Sequence, residues 1–167
     1  MRLGAYQRSK GDRTGMMGSS WVTSTQQSDD IAEVRQAEAR FYEALLRLMN
    51  GDSGPLKEVL SHREDATAFL GWGGYERGWA ELEARWEWAR SQFASGRSVN
   101  PETLTIDVSG DLAYTVAIEH GDVRLVGRDE PDRSAIRATH IYRREDGVWK
   151  LVHRHADRLA ERRSPTG

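Results

Sequence analysis

Two histidines separated by one residue, His153 and His155, form the most metal-like pattern in the chain. On a β-strand they share one face, where two imidazoles can chelate a divalent ion. No third ligand stands near them in sequence, so no metal site is assigned. His140 is the stronger candidate for acid–base work, because an imidazole can donate, accept or, when charged, hold an anion. A hydrogen-bonded structural histidine is the competing reading. Arg154 cannot be buried unpaired without large cost, so on an inward face it requires a carboxylate such as Glu119 or Asp157, or an anionic ligand. Glu119 and His120 are neighbours and point to opposite faces of a strand, so they cannot act together from one face, though one of them can reach an enclosed space. Tyr42 carries a hydroxyl that serves either a packed core or a polarising role. Trp72 and Tyr75 sit in Gly71-Trp72-Gly73-Gly74-Tyr75, where they could wall a flat ligand. The chain has no cysteine, which removes thiolate nucleophiles, cysteine-ligated zinc and disulfides.

The elements that must position these residues follow from hydrophobic periodicity. Residues 1–27 are polar, small and aperiodic, and are expected to form a disordered tail. From Asp29 and Asp30 onward, Ile31, Val34, Phe41, Leu45 and Leu48 recur at helical spacing up to Asn50-Gly51, which predicts a long amphipathic helix. Pro55 opens a short second helix carrying Leu56, Val59 and Leu60. Thr67 to Leu70 reads as a strand before the glycine loop. Trp79, Leu82, Trp86, Ala89 and Phe93 make the apolar stripe of a third helix, expected to end at Gly96. Alternation then predicts strands around Leu104 to Val108, Leu112 to Val126, Ser134 to Arg144 and Val148 to Asp157, joined by turns at Ser109-Gly110-Asp111 and Glu145-Asp146-Gly147. Residues 159–167 are expected to be a charged tail. One antiparallel sheet whose inner face is covered by the earlier helices is the natural assembly.

Composition narrows the partners. Lys+Arg 24 against Asp+Glu 26 gives a net charge of -2, too little to draw the chain to nucleic acid or an anionic membrane. No apolar run approaches the roughly 20 residues of a spanning helix. The opening residues lack the apolar stretch of a secretory signal, and a cysteine-free chain suits a reducing compartment. A cytoplasmic protein without cofactor is expected.

Two regions carry a family resemblance. One runs from Phe41-Tyr42 through Asn50-Gly51-Asp52 to the Thr67-Ala68-Phe69 strand and its glycine loop. The other is Arg143-Arg144-Glu145-Asp146-Gly147-Val148-Trp149-Lys150-Leu151-Val152-His153-Arg154-His155. Together they make residues from about Asp30 to Asp157 resemble the SnoaL-like branch of the nuclear transport factor 2-like superfamily. The closing hairpin also resembles the association domain of calcium/calmodulin-dependent protein kinase II. The resemblance implies an α+β fold, a cone-shaped curved antiparallel sheet enclosing three N-terminal helices (a cystatin-like α+β barrel), over residues 28–158. It spans isomerases, cyclases, dehydratases and non-catalytic modules, so it implies fold before reaction.

In ketosteroid isomerase the general base lies on the first strand, three residues beyond the threonine matched by Thr67. Leu70 stands there, and an aliphatic side chain cannot take a proton. By the same comparison His140 and Tyr42 are approximate substitutes for the oxyanion donors. The position corresponding to His140 in the association domain is a cavity arginine. That comparison also turns Lys150, Val152, Arg154 and Ala156 inward and Trp149, Leu151, His153 and His155 outward, onto a face that would make a homodimer. The expected site therefore has His140 and Tyr42 as catalytic groups and Arg154, Val152, Trp72, Tyr75 and His120 as ligand contacts. Its ligand would be a small hydrophobic or anionic organic molecule. The alternative is a non-catalytic ligand-binding or homo-oligomeric assembly module.

Overall fold

The structure is a computed structural model that describes residues 18–161, with side chains described from Thr25 onward. Helix α1 (Gly18–Met49) starts earlier than its apolar stripe, inside the stretch expected to be a tail. Thr25 to Asp29 are exposed and the buried face begins at Val34. Periodicity registers burial, so a solvated helical extension leaves no mark in it. Residues 1–17 of the expected N-terminal tail and 162–167 of the C-terminal one lie outside the described residues. Helix α2 (Gly54–Val59) follows with Pro55 in its first turn. Strand β1 (Thr67–Leu70), the two-residue β2 (Glu76–Arg77) and helix α3 (Trp79–Gln92) complete the first half. The second half is a meander of β3 (Phe93–Ser109), β4 (Leu112–Leu125), β5 (Ala135–Glu145) and β6 (Val148–Arg158).

The six strands form one sheet in the order β2-β1-β6-β5-β4-β3, antiparallel throughout except where β1 runs parallel to β6. Three register shifts between β3 and β4 bend these long strands, so the sheet curls without closing. Pro101 is tolerated because β3 is an edge strand. The helices fill the concave side. Val34, Phe41, Leu45 and Leu48 of α1 pack with Leu56, Leu82, Trp86, Tyr142, Trp149 and Leu151 in one core.

The third helix stops four residues before the expected Gly96. Phe93 keeps its place against the core but is already paired with Leu125 of β4, because the long ladder takes over the backbone there. Gly96 instead serves close approach: a Cβ there would sit 2.7 Å from Cβ of Met49. The Asn50 side chain completes the contact. Its amide nitrogen donates to the Gly96 carbonyl at 2.8 Å, and its oxygen accepts from the Gly96 N–H at 3.3 Å.

Strand β6 breaks simple alternation. Ile141 pairs with His153 but Tyr142 pairs with Leu151, leaving Val152 as an extra residue in a β-bulge. Trp149 (4% exposed) and Leu151 (2%) consequently face the helices, as do Arg154 and Ala156 beyond the bulge. This corrects the expectation that Trp149 and Leu151 lie on the outer face. A single inserted residue reverses the face of everything on one side of it. No helix among the described residues is long and apolar enough to cross a membrane.

Candidate functional site

The concave face is built from side-chain rows that cross the strands. At the narrow end Ala113, Tyr142 and Leu151 stand side by side. Next comes a polar row of Thr115, His140 and Arg154, followed by a row of Ala117, Ala138 and Ala156 beside Leu70. Glu119, Ile136 and Arg158 form the last row, toward the open end. The three alanines fill little of the space between sheet and helices. Arg154 and Glu119 meet across that space, the guanidinium holding both carboxylate oxygens at 2.6 and 2.8 Å.

This pair is almost sealed from solvent: Arg154 is 6% exposed, Glu119 3% and the adjacent His140 1%. Such a pair holds only when the geometry satisfies both charges, and the bidentate fork does so. His140 lies against the same guanidinium, with Nε2 contacting Arg154 Nη1. Arginine can only donate, so Nε2 is the acceptor and the proton sits on Nδ1, directed at the Tyr142 hydroxyl 3.5 Å away. Burial, then the Arg154 charge, then His153 hold the His140 pKa well below its ordinary value. A neutral imidazole with its lone pair already engaged is a positioning group for Arg154 rather than a free base. Burial lowers Arg154, but the attraction of Glu119 more than restores it and keeps the guanidinium charged.

Helix α1 closes this layer from above. The Phe41 ring stands edge-on to His140 at 4.8 Å, and Arg154 lies over Phe41 at 5.2 Å. Tyr42 is tilted against His140 at 5.8 Å between ring centres. Burial, followed by the nearby Glu119 charge, raises the Tyr42 hydroxyl far above its usual value, so it stays protonated.

On the open side of the Arg154–Glu119 pair lies a cavity of about 150 Å³. Leu45, Leu70, Trp86, Phe93 and Val99 contribute to its apolar wall, and Trp72 stands at the edge. At the mouth, Asp132 receives a hydrogen bond from Arg158. Burial pushes Asp132 upward, but the hydrogen bonds from Arg158 and Ser134 outweigh it and bring it down to about 2. Both arginines that line the cavity are thus matched by carboxylates.

Arg154, His140 and Tyr42, drawn from three different elements, lie together, and of the three Arg154 lines the cavity. Trp72 borders the cavity and stacks edge-on against Trp88 and Phe93 at 5.4 and 5.7 Å. Tyr75 does not join it: it is 71% exposed and leans on Phe69 of β1. His120 faces outward, with Nε2 3.6 Å from Glu102, because its neighbour Glu119 takes the inward position. Val152 is held in the bulge and borders a separate small space rather than the main cavity. His153 bonds Thr67 at 2.8 Å, and His155 contacts Asp157 at 2.9 Å. Among the described residues no three potential metal ligands cluster. Sequence reasoning missed the alanine row and the mouth residues Asp132, Ser134 and Arg158. The alanines did carry a signal, since small residues at inward positions of adjacent strands leave room beside them, and Ala156 at the end of the row lines the cavity.

The model of the SnoaL-like domain family matches residues 34–157. No curated protein matches the chain. Among solved structures, a candidate dehydratase of the nuclear transport factor 2-like family from Streptomyces avermitilis aligns with TM-score 0.66 and 19% identity, over 80% of this chain and 99% of that one. A ketosteroid isomerase-like protein from Erwinia carotovora atroseptica aligns with TM-score 0.68 and 14% identity, over 79% and 98%. A candidate calcium/calmodulin-dependent protein kinase type II association domain from Thiobacillus denitrificans gives TM-score 0.62 and 22% identity, over 74% and 93%. At these identities the likeness establishes the fold, and the chemistry must be argued from the residues.

Proposed function

The chain belongs to the SnoaL-like domain family, and on that premise we propose that it binds a compact, mostly apolar organic molecule in its cone, with Glu119 as the group placed for acid–base chemistry. The observation that carries this reading is the Glu119–Arg154 pair at the floor of an otherwise apolar cavity. Proton transfer of the isomerase, cyclase or dehydratase kind needs a titratable group in contact with the bound molecule. Glu119 lines the cavity, whereas His140 and Tyr42 stand behind the ion pair and are not among its lining residues. In this reading Arg154 polarises the ligand and fixes Glu119, while His140 and Phe41 hold Arg154 in place and Tyr42 packs against His140.

A second reading, a non-catalytic binding module, is favoured by two particular features. Leu70 occupies the first-strand position where a base would be required, and it lines the cavity. Both oxygens of Glu119 are already engaged by Arg154, which commits the carboxylate to the ion pair.

Native mass spectrometry of the purified full chain, compared with an Ala156→Leu variant that adds bulk at a residue lining the cavity, tests the shared premise. A reproducible organic adduct on the wild type that disappears in the variant is expected. An adduct retained after filling, or none on the wild type, would refute the cavity as a binding site. Given an adduct, Glu119→Gln then separates the two readings: turnover is lost with binding kept if Glu119 transfers the proton.

A homodimer through the outer sheet face is part of this reading, with His153 and His155 on that face as expected and Trp149 and Leu151 removed from it. Tyr114, Ile141, His153 and Thr67 form one cross-strand row, and Val116, Thr139, His155 and Phe69 the next. Tyr114, Ile141 and Phe69 are exposed apolar or aromatic side chains at the centre of that face.

A further inference from the structure

The two arginines that line the cavity differ in how much of their donor capacity is spent. Arg154, at the floor, gives both terminal nitrogens to Glu119 and also touches His140, and it is 6% exposed. Arg158 stands in the last inward row, toward the open end, and its side chain is 59% exposed. Among the described residues its hydrogen-bond and ion-pair partner is Asp132, which accepts from Nη2. One contact at Nη2 leaves a complete edge of the guanidinium fork without a protein acceptor.

Asp132 is the less accessible member of that pair. Its side chain is 15% exposed, and its oxygens accept from the Ser134 N–H at 2.9 Å and from Arg158, so what meets an approaching molecule is the cation. Arg158 also belongs to the cavity rather than to the general surface. Leu70 of β1 pairs with Ala156 of β6, and a short step further along each chain Trp72 and Arg158 line the same cavity. Trp72 is partly exposed there and leans edge-on against Trp88 and Phe93. The mouth thus combines an aromatic wall with an unspent guanidinium edge, outside a mostly apolar interior.

Solvation decides where a ligand's charge can sit. A carboxylate at the floor would lose its water beside Glu119 and find Arg154 already bidentate. At the mouth it keeps part of its water and meets a planar fork that matches its two oxygens. A cavity of about 150 Å³ is the size known to hold a benzene ring. We infer that Arg158 receives the ligand's head: the cavity takes a monocarboxylate whose body is about as large as a benzene ring, its carboxylate outward on Arg158 and its apolar end toward the floor. The inference rests on the small-molecule reading above and names the ligand class. It moves the anionic group from Arg154, where the sequence placed it, to Arg158. It also sets which end of the molecule meets Glu119, the carbon end and not the acid.

The test titrates the full chain by calorimetry, at neutral pH and constant salt, with benzoate, its neutral isostere benzamide, and terephthalate. Benzoate is expected to bind about fivefold more tightly than benzamide, the margin of a charge-assisted over a neutral hydrogen bond. Arg158→Gln should erase that margin while benzamide stays within about twofold of its wild-type affinity, and Arg158→Lys should restore part of it. Ala156→Leu should weaken both probes, because their rings share the cavity that it narrows. Terephthalate, which carries a second carboxylate at the inner end, should bind more weakly than benzoate. Equal binding of benzoate and benzamide, or a margin that survives Arg158→Gln, would overturn the assignment of the head to Arg158. Benzoate binding untouched by Ala156→Leu would reduce the site to a surface contact and overturn the cavity seat. Terephthalate binding as tightly as benzoate would overturn the outward orientation. Binding of neither benzoate nor benzamide would overturn the monocarboxylate assignment, while the adduct comparison above judges the small-molecule reading on its own. The three wild-type titrations decide the matter even if a variant does not fold.

Discussion

His140 shows how surroundings convert a reactive residue into a structural one. Its burial against Phe41, Tyr42 and Arg154 keeps it neutral in the folded chain, whereas an unfolded histidine takes up a proton near pH 6.5. Below that pH the unfolded state therefore binds more protons than the folded one. Stability is fully present above about pH 6.5 and falls as pH drops, with a slope approaching about 1.4 kcal/mol per pH unit for one such group. His153, lowered by partial burial and by His155, adds a contribution of the same sign. Urea unfolding between about pH 7 and 5 should show this loss, and His140→Gln should flatten most of it. An unchanged slope in the variant would mean that His140 is not held neutral. Residue types made part of this site legible in advance: Arg154 demanded a carboxylate, and Glu119 was one of two candidates. What the types could not supply was distance. His140 looked like a base because nothing in its sequence neighbourhood announced that Arg154, fourteen positions away, would occupy its lone pair.

At the level of elements, the helices and strands were readable because each repeats its burial pattern over several turns or pleats. The departures arise where tertiary contacts override the local pattern. Helix α3 yields to β3 because Phe93 can serve either as the last residue of an apolar stripe or as the first of a ladder. Strand β6 contains one more residue than its partner requires, and alternation cannot reveal an uncounted residue. The bulge makes a definite energetic prediction. Trp149 packs in the core, donates from Nε1 to Glu33 at 3.1 Å and lies under the Arg144 guanidinium at 4.5 Å. Trp149→Ala should therefore cost about 3–5 kcal/mol in urea unfolding. Val148→Ala, at the exposed turn one residue earlier, should change stability by less than about 0.5 kcal/mol. Similar small losses for the two would place Trp149 on the surface and remove the bulge from the account.

For the whole molecule, the two faces of one sheet divide the work: the concave side encloses the ion pair and cavity, and the convex side presents Phe69, Tyr114 and Ile141. The proposed homodimer predicts twice the chain mass by light scattering at micromolar concentration. Phe69→Glu combined with Ile141→Lys should return a folded monomer, because buried like-for-like contacts across a two-fold axis place each new charge against its counterpart's surface. A wild type that is monomeric would end that proposal. A different consequence follows from the row of Ala117, Ala138 and Ala156. Of the three, Ala156 borders the cavity and acts as a caliper set into the sheet: opened by one methyl group to glycine or tightened to valine or leucine, it would rescale the cavity while the charged pair stays untouched. On the proposed binding reading, the size of the accepted molecule and the charged pair it meets are therefore set by separate residues, and can drift independently of each other.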